Sequence, residues 1–153
     1  MTKRYVIDAC SLIHANKNNN LNKAIYSEVW KKLSELFNMG ILLSSSEIFD
    51  EIKDRDLQNW LKPYKKKFMP LTREIQSKTR EILEYYPNLI TIRSIKNSNG
   101  DPFLIATALV YNATVITEEG EVNIECKTCK IPNVCKHYNI ECITFNEFID
   151  RVT

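Results

Sequence analysis

At 153 residues, 44% of them hydrophobic and 26% charged, with a net charge of +2, the chain has the arithmetic of one ordinary soluble domain that folds without a disulfide or metal staple. Three glycines and five prolines exclude a collagenous, low-complexity or largely disordered chain. The longest apolar run, Phe103 to Tyr111, is interrupted by Thr107 and falls well short of the ~20 residues that cross a bilayer.

The chain opens with Lys3 and Arg4 and passes directly to Tyr5-Val6-Ile7-Asp8, too short and too soon charged for a signal peptide. Its five cysteines are therefore expected in a reducing cytoplasm. Residues 5–7 and 41–43 are short apolar runs suited to buried strands. The polar run 16–20 reads as a loop. Leu21, Ile25, Val29, Leu33, Leu36 and Phe37 recur at helical spacing, with Gly40 as the cap that ends the helix. Ser44-Ser45-Ser46 opens a second helix with Ile48, Phe49, Ile52, Leu57, Trp60 and Leu61 on its apolar side. Pro63 and Pro70 break the pattern around Lys65-Lys66-Lys67, and a third helix is predicted over 72–86, stopped by Pro87. Residues 89–92 read as a strand, 97–100 as a turn, 101–112 as a helix apolar almost all round, and 114–117 as a strand. A strand at 140–143 and a helix from Phe145 close the chain. No repeat and no second domain emerge, so residues 1–153 are expected to form a single domain. Alternating strands and helices predict an α/β fold with a mainly parallel sheet between two helical layers.

In such sheets ligands gather at the carboxyl ends of the strands, and acids stand at those places here. Asp8 follows the first strand directly. Glu118 and Glu119 follow Thr-Val-Ile-Thr, and adjacent carboxylates repel unless a cation lies between them. Gly100-Asp101-Pro102 is a local recipe for a helix cap, which could also face a metal. In the second helix Glu47 stands three residues after Ser44, the spacing of a capping box, whereas Glu51 lies at the edge of the apolar side with no local role.

The segments Tyr5-Val6-Ile7-Asp8-Ala9-Cys10-Ser11-Leu12-Ile13, Ile48-Phe49-Asp50-Glu51-Ile52, Asp101-Pro102-Phe103-Leu104-Ile105-Ala106-Thr107-Ala108 and Val115-Ile116-Thr117-Glu118-Glu119 occur in the order that marks PIN domains. The chain resembles a PIN-like branch in which Thr-Glu-Glu is followed by a Lys-Ile-Pro-x-Val-Cys element, here Lys130 to Cys135. The resemblance spans residues 5–135. It implies a three-layer α/β/α ribonuclease of the toxin–antitoxin kind, with Mg²⁺ or Mn²⁺ held by Asp8, Glu51, Asp101 and Glu119, and Glu118 as the rival for the fourth place. It also implies an RNA substrate, a cognate antitoxin and a homodimer, and no membrane. Two departures stand out: Cys10 occupies a place where the family often has Ser, Thr or Asn, and Glu119 is longer than the usual Asp. These departures give a non-catalytic PIN-like scaffold, binding nucleic acid or protein, its foothold as the alternative.

Cys126-x-x-Cys129 with Cys135 and His137 offers four structural zinc ligands within twelve residues, although one residue between Cys135 and His137 is tight for a shared ion. A small zinc-binding interaction module is the reading that follows from them; plain reduced thiols are the bland one. Cys10 and Cys142 sit beside apolar residues and read as core. Residues 53–80 carry nine Lys/Arg against three Asp/Glu. Within them, Lys62, Tyr64, Lys65, Lys66 and Lys67 mix cations with an aromatic ring, as a surface tracking an RNA backbone and stacking on a base would. The same residues could instead be a solvated face with the aromatic packed inward.

Overall fold

The computed structural model of the chain describes residues 3–87, 100–119 and 131–153. Five strands form its sheet: β1 (Arg4–Ile7), β2 (Leu42–Ser45), β3 (Phe68–Met69), β4 (Ala113–Ile116) and β5 (Cys142–Ile143), in the order β3-β2-β1-β4-β5. Every pairing is parallel. The helices are α1 (Ala9–Asn18), α2 (Ser27–Asn38), α3 (Ser46–Glu51), α4 (Arg55–Leu61), α5 (Arg73–Tyr85), α6 (Gly100–Tyr111), α7 (Ile131–His137) and α8 (Phe145–Val152). They flank the sheet, giving the expected α/β architecture around a parallel core.

Sequence explains the strands. β2 and β4 are buried along their whole length, and β1 along all but Arg4, as parallel strands covered on both faces must be. α6 packs on β1, β2 and β4 and against α5, which is why 101–112 reads as apolar on all sides. The strand order grows outward from β1, to β2 and β3 on one side and to β4 and β5 on the other. Between β1 and β4 the direction of growth reverses, which opens a crevice at their carboxyl ends.

Several sequence expectations shift. The run 16–20 is not all loop: α1 extends to Asn18, carried by buried Leu12 and Ala15 three residues apart. Ile25 is 80% exposed, because a 3₁₀ turn over Ala24–Tyr26 precedes α2 and turns that side chain out of the apolar stripe. The helix predicted through Ile48 and Leu61 is two helices. Asp54 caps α4, its Oδ1 accepting the Leu57 N–H at 2.9 Å, and the chain bends between them. Ser45, not Ser44, caps α3, so Glu47 closes no capping box with Ser44; Ser44 instead donates to the Ile7 carbonyl at 2.6 Å, tying β2 to β1. Gly40 does end α2, in the left-handed conformation (φ +72°) that a side chain would strain. β3, only two residues long, was not anticipated. The strand expected at 89–92 and residues 97–99 of the turn expected at 97–100 lie outside the described residues, while Gly100 is the first residue of α6.

At the amino-terminal edge of the sheet Glu141 accepts two bonds from Arg151, at 2.7 and 2.8 Å, and one from Lys3 at 2.7 Å. Those cations hold its carboxyl well below the ordinary range, Arg151 contributing most. A depressed pKa stabilises the fold above the unfolded value and loses that contribution as pH falls. Stability should therefore drop below about pH 4.5, the ordinary value for this carboxyl. In Glu141→Gln the drop over that window should be shallower, as melting curves across pH would show.

A candidate active site at the ends of β1 and β4

Register brings the first acid to its partner. Ile7 pairs with Ile116, so one step further Asp8 lies beside Thr117. The Asp8 N–H reaches the Ile116 carbonyl at 2.9 Å, and the Thr117 hydroxyl donates to Asp8 Oδ2, also at 2.9 Å. Asp8 Oδ1 accepts the Ala9 N–H at 2.8 Å, so this carboxylate is also the cap of α1. Cys10 donates its S–H to Oδ2 at 2.9 Å and lies 3.3 Å from the Thr117 hydroxyl. The Glu118 N–H points to Cys10 Sγ at 3.4 Å, and the Glu119 N–H to Thr117 Oγ1 at 3.2 Å. The Thr117 hydroxyl, accepting from one side, is left to donate on the other; this fixes the Asp8 carboxylate in place.

Asp8 is only 3% exposed. Burial raises its pKa; bonds from Cys10, Thr117 and Ala9 pull it back, and the charge of Glu118 pushes it further up. Among the described residues no Lys or Arg pairs with it. Burial and the neighbouring Asp8 charge raise the Cys10 thiol strongly, so it stays protonated and is a poor nucleophile. Cys10 and Thr117 are the members sequence reasoning missed. Cys10 is a half-buried part of the site, not core as expected, and Thr117 could have been found by extending the parallel register one residue past Ile116.

The other acids are placed as follows. Glu118 Oε1 accepts the Phe145 N–H at 2.8 Å, at the start of α8. Glu119 Oε2 accepts the Ile131 N–H at 3.0 Å, at the start of α7. Each acid thus anchors a helix start, a favourable seat for a negative charge. The charge of Glu118 is felt at Asp8. Glu51 ends α3, which packs against α6, and Asp101 lies in the first turn of α6. The side chain of Asp101 lies outside the described set. Among the described residues no three His, Cys, Asp or Glu side chains converge on one point.

The zinc expectation divides. Cys126 and Cys129 lie outside the described residues. Cys135 and His137, two apart on α7, face different surroundings: Cys135 is fully buried, while the exposed His137 ring lies 4.8–5.4 Å from the rings of Tyr85, Tyr86 and Tyr138. Those two do not point at one ion. In the basic segment, a 3₁₀ turn over Lys62–Lys67, the aromatic is turned inward. Tyr64 stacks on Phe37 with centroids 5.3 Å apart, packs on Trp60 and hydrogen-bonds Ser34, so it is not offered to a base. Lys62, Lys65 and Lys66 are exposed and Lys67 half-buried; Lys65 lies 5.3 Å above the Phe49 ring, two residues before Glu51.

The family model described as a domain of unknown function (DUF4411) matches residues 5–153. No curated protein matches the sequence. Among solved structures, the crystal structure of VapBC2 from Rickettsia felis bound to a DNA fragment from their promoter is similar at 17% identity, over 92% of this chain and 97% of that chain, with a TM-score of 0.49. A likeness that distant transfers neither a reaction nor a partner.

Proposed function

This chain belongs to the DUF4411 family, and we propose that it is a PIN-like ribonuclease dependent on Mg²⁺ or Mn²⁺, the toxin component of a cytoplasmic toxin–antitoxin pair. The observation that carries this reading is Asp8: a buried carboxylate without a cationic partner among the described residues, held in one orientation at the point where strand order reverses. Burying an unneutralised acid costs stability, and a site that accepts the cost is a candidate for function. The donor chemistry suits a hard divalent cation, which prefers oxygens and needs only a few carboxylates beside its waters. Asp8, Glu51 and Asp101 would hold it, with Glu118 or Glu119 as the fourth. Glu119 is the position that the PIN resemblance implies, whereas Glu118 is an acid whose charge raises the Asp8 pKa.

When bound, such an ion supplies an activated water and steadies charge on the leaving oxygen of a phosphodiester. The chain's own part is to position and to exclude water. Thr117 fixes the Asp8 carboxylate, and fully buried Ile7, Val115 and Ile116 line the strands behind it, where low polarity strengthens any charge interaction. Cys10 stays a thiol and serves as a donor to Asp8, with no covalent intermediate. Exposed lysines of the 3₁₀ turn, beside α3, would meet the RNA backbone. Replacing Lys65, Lys66 and Lys67 with Gln should weaken binding of single-stranded RNA and reduce its log–log salt slope by roughly two units; an unchanged slope would leave those lysines a solvated face. An antitoxin and a second copy of the chain are the partners this reading carries with it.

One observation favours a second reading. The seats of Glu118 and Glu119 on helix starts are what a non-catalytic PIN-like scaffold would keep. Incubation of the purified protein with single-stranded RNA and Mg²⁺ or Mn²⁺ separates the two. The nuclease cuts and stops when the metal is chelated, whereas the scaffold binds and leaves the RNA whole.

A further inference from the structure

A cleft of about 450 Å³ opens beside the candidate site, at the ends of β4 and β5, between α7 and α8. Its volume is within the ~300–1,000 Å³ usual for small-molecule sites. Thr117 joins the two places: it lines the cleft, and its hydroxyl is bonded to Asp8. Pro132 and Ile143 supply apolar wall, while Glu119, Glu147 and Lys136 supply charge. Two carboxylates against one ammonium make this a poor seat for a bare phosphate. The cleft suits a flat, neutral group with hydrogen-bond donors on its edge.

Resting on the ribonuclease reading, we propose that this cleft takes the nucleobase adjoining the phosphate at Asp8, and that Glu147 selects a base with an amino edge, cytosine over uracil. In single-stranded RNA, unstacked bases are read along such edges. Cytosine presents an N4 amino donor where uracil presents a carbonyl acceptor, and a carboxylate accepts only from the first. Glu147 is already oriented for the task. Its Oε1 accepts the Thr144 N–H at 3.3 Å and the Thr144 hydroxyl at 3.2 Å, closing the capping box of α8. Among the described residues, Oε2 takes no bond and remains as acceptor. Lys136, on the exposed side of α7, would meet the neighbouring phosphate.

The test is fluorescence anisotropy of labelled pentacytidylate and pentauridylate with the full chain in chelator, so that nothing is cut. The wild type should bind the cytidine oligomer roughly tenfold more tightly. In Glu147→Gln the glutamine can still close the capping box but offers an amide donor in place of Oε2, so the preference should vanish or invert. Lys136→Gln should weaken both oligomers equally and lower the salt slope by about 0.7. Equal affinities in the wild type, a preference untouched in Glu147→Gln, or no binding of either oligomer would each overturn the proposal. Cleavage with metal is read separately. A protein that cuts RNA without preferring cytosine loses this cleft and keeps its nuclease, whereas one that discriminates without cutting keeps the cleft as a binding site and loses the nuclease.

Discussion

Replacing Asp8 with Asn should lower RNA cleavage roughly a hundredfold or more while making the metal-free protein more stable by about 1 kcal/mol. The first figure follows from position: losing even a residue behind a metal ligand typically costs ten- to a hundredfold, and Asp8 would be a ligand itself. The second follows from burial. Desolvation raises the Asp8 pKa, with Glu118 adding to it. A raised pKa gives stability that is complete below the ordinary carboxylate value and is lost as pH rises through the folded one. Folding therefore works against ionisation of this carboxyl, a cost that the wild type bears as pH rises and the variant does not. The shape is kept: Oδ1 of Asn can still accept the Ala9 N–H, and the amide can donate to Cys10 or Thr117, whose roles are reversible. The stability gap between the two proteins should widen from acid to neutral pH, and added Mn²⁺ should narrow it by stabilising the wild type more. A variant as active as the wild type, or a gap independent of pH, would remove Asp8 from the site. Glu47→Gln, outside the acid set, should leave cleavage nearly intact.

Phe37→Ala should be the costliest single change to stability, at about 3–5 kcal/mol, with the melting temperature lower by about 10 °C or more. Phe37 is fully buried on α2 and is the centre of an aromatic cluster. Tyr64 stacks on it at 5.3 Å, Phe68 at 5.8 Å, and Trp60 lies tilted at 6.3 Å. Three separate stretches, α4, the basic 3₁₀ turn and β3, meet α2 through this ring. Its loss opens a cavity that none of them can close without moving away from the others. Chemical denaturation would read the change; a cost under about 1 kcal/mol would mean that the cluster repacks freely.

How much of this was legible in the sequence depended on whether the signal was local. Buried strands and the all-apolar helix at 101–112 declared themselves, since covered parallel strands and a helix against their faces have few polar positions. Gly40 was readable because only a left-handed residue ends α2 there. α1 was hidden because apolar Ile13 stands exposed along with Lys17 and Asn18, while its buried face shows only small or isolated apolar residues such as Ala9, Leu12 and Ala15. Ile25 misled because an apolar residue at helical spacing says nothing of where the helix begins. Asp8 was found from its place after a strand. The Cys10–Thr117 clasp upon it was not, because it is a contact across 107 residues that only the pairing register creates. The roles of Glu118 and Glu119 at the starts of α8 and α7 were invisible for the same reason. For Tyr64 both readings stayed open, base platform or inward packing, because composition cannot tell which way a ring turns; the structure turns it inward.

The most direct test of the account is the chemistry of the ends left on RNA cut by the wild-type protein in Mg²⁺ or Mn²⁺. With water as the nucleophile and no covalent intermediate on Cys10, each cut should leave a 5′-phosphate and a 3′-hydroxyl, and Asp8→Asn should leave almost none of either. Cyclic 2′,3′-phosphate ends that form equally well with the metal chelated, or RNA that stays whole with folded protein and metal present, would contradict it.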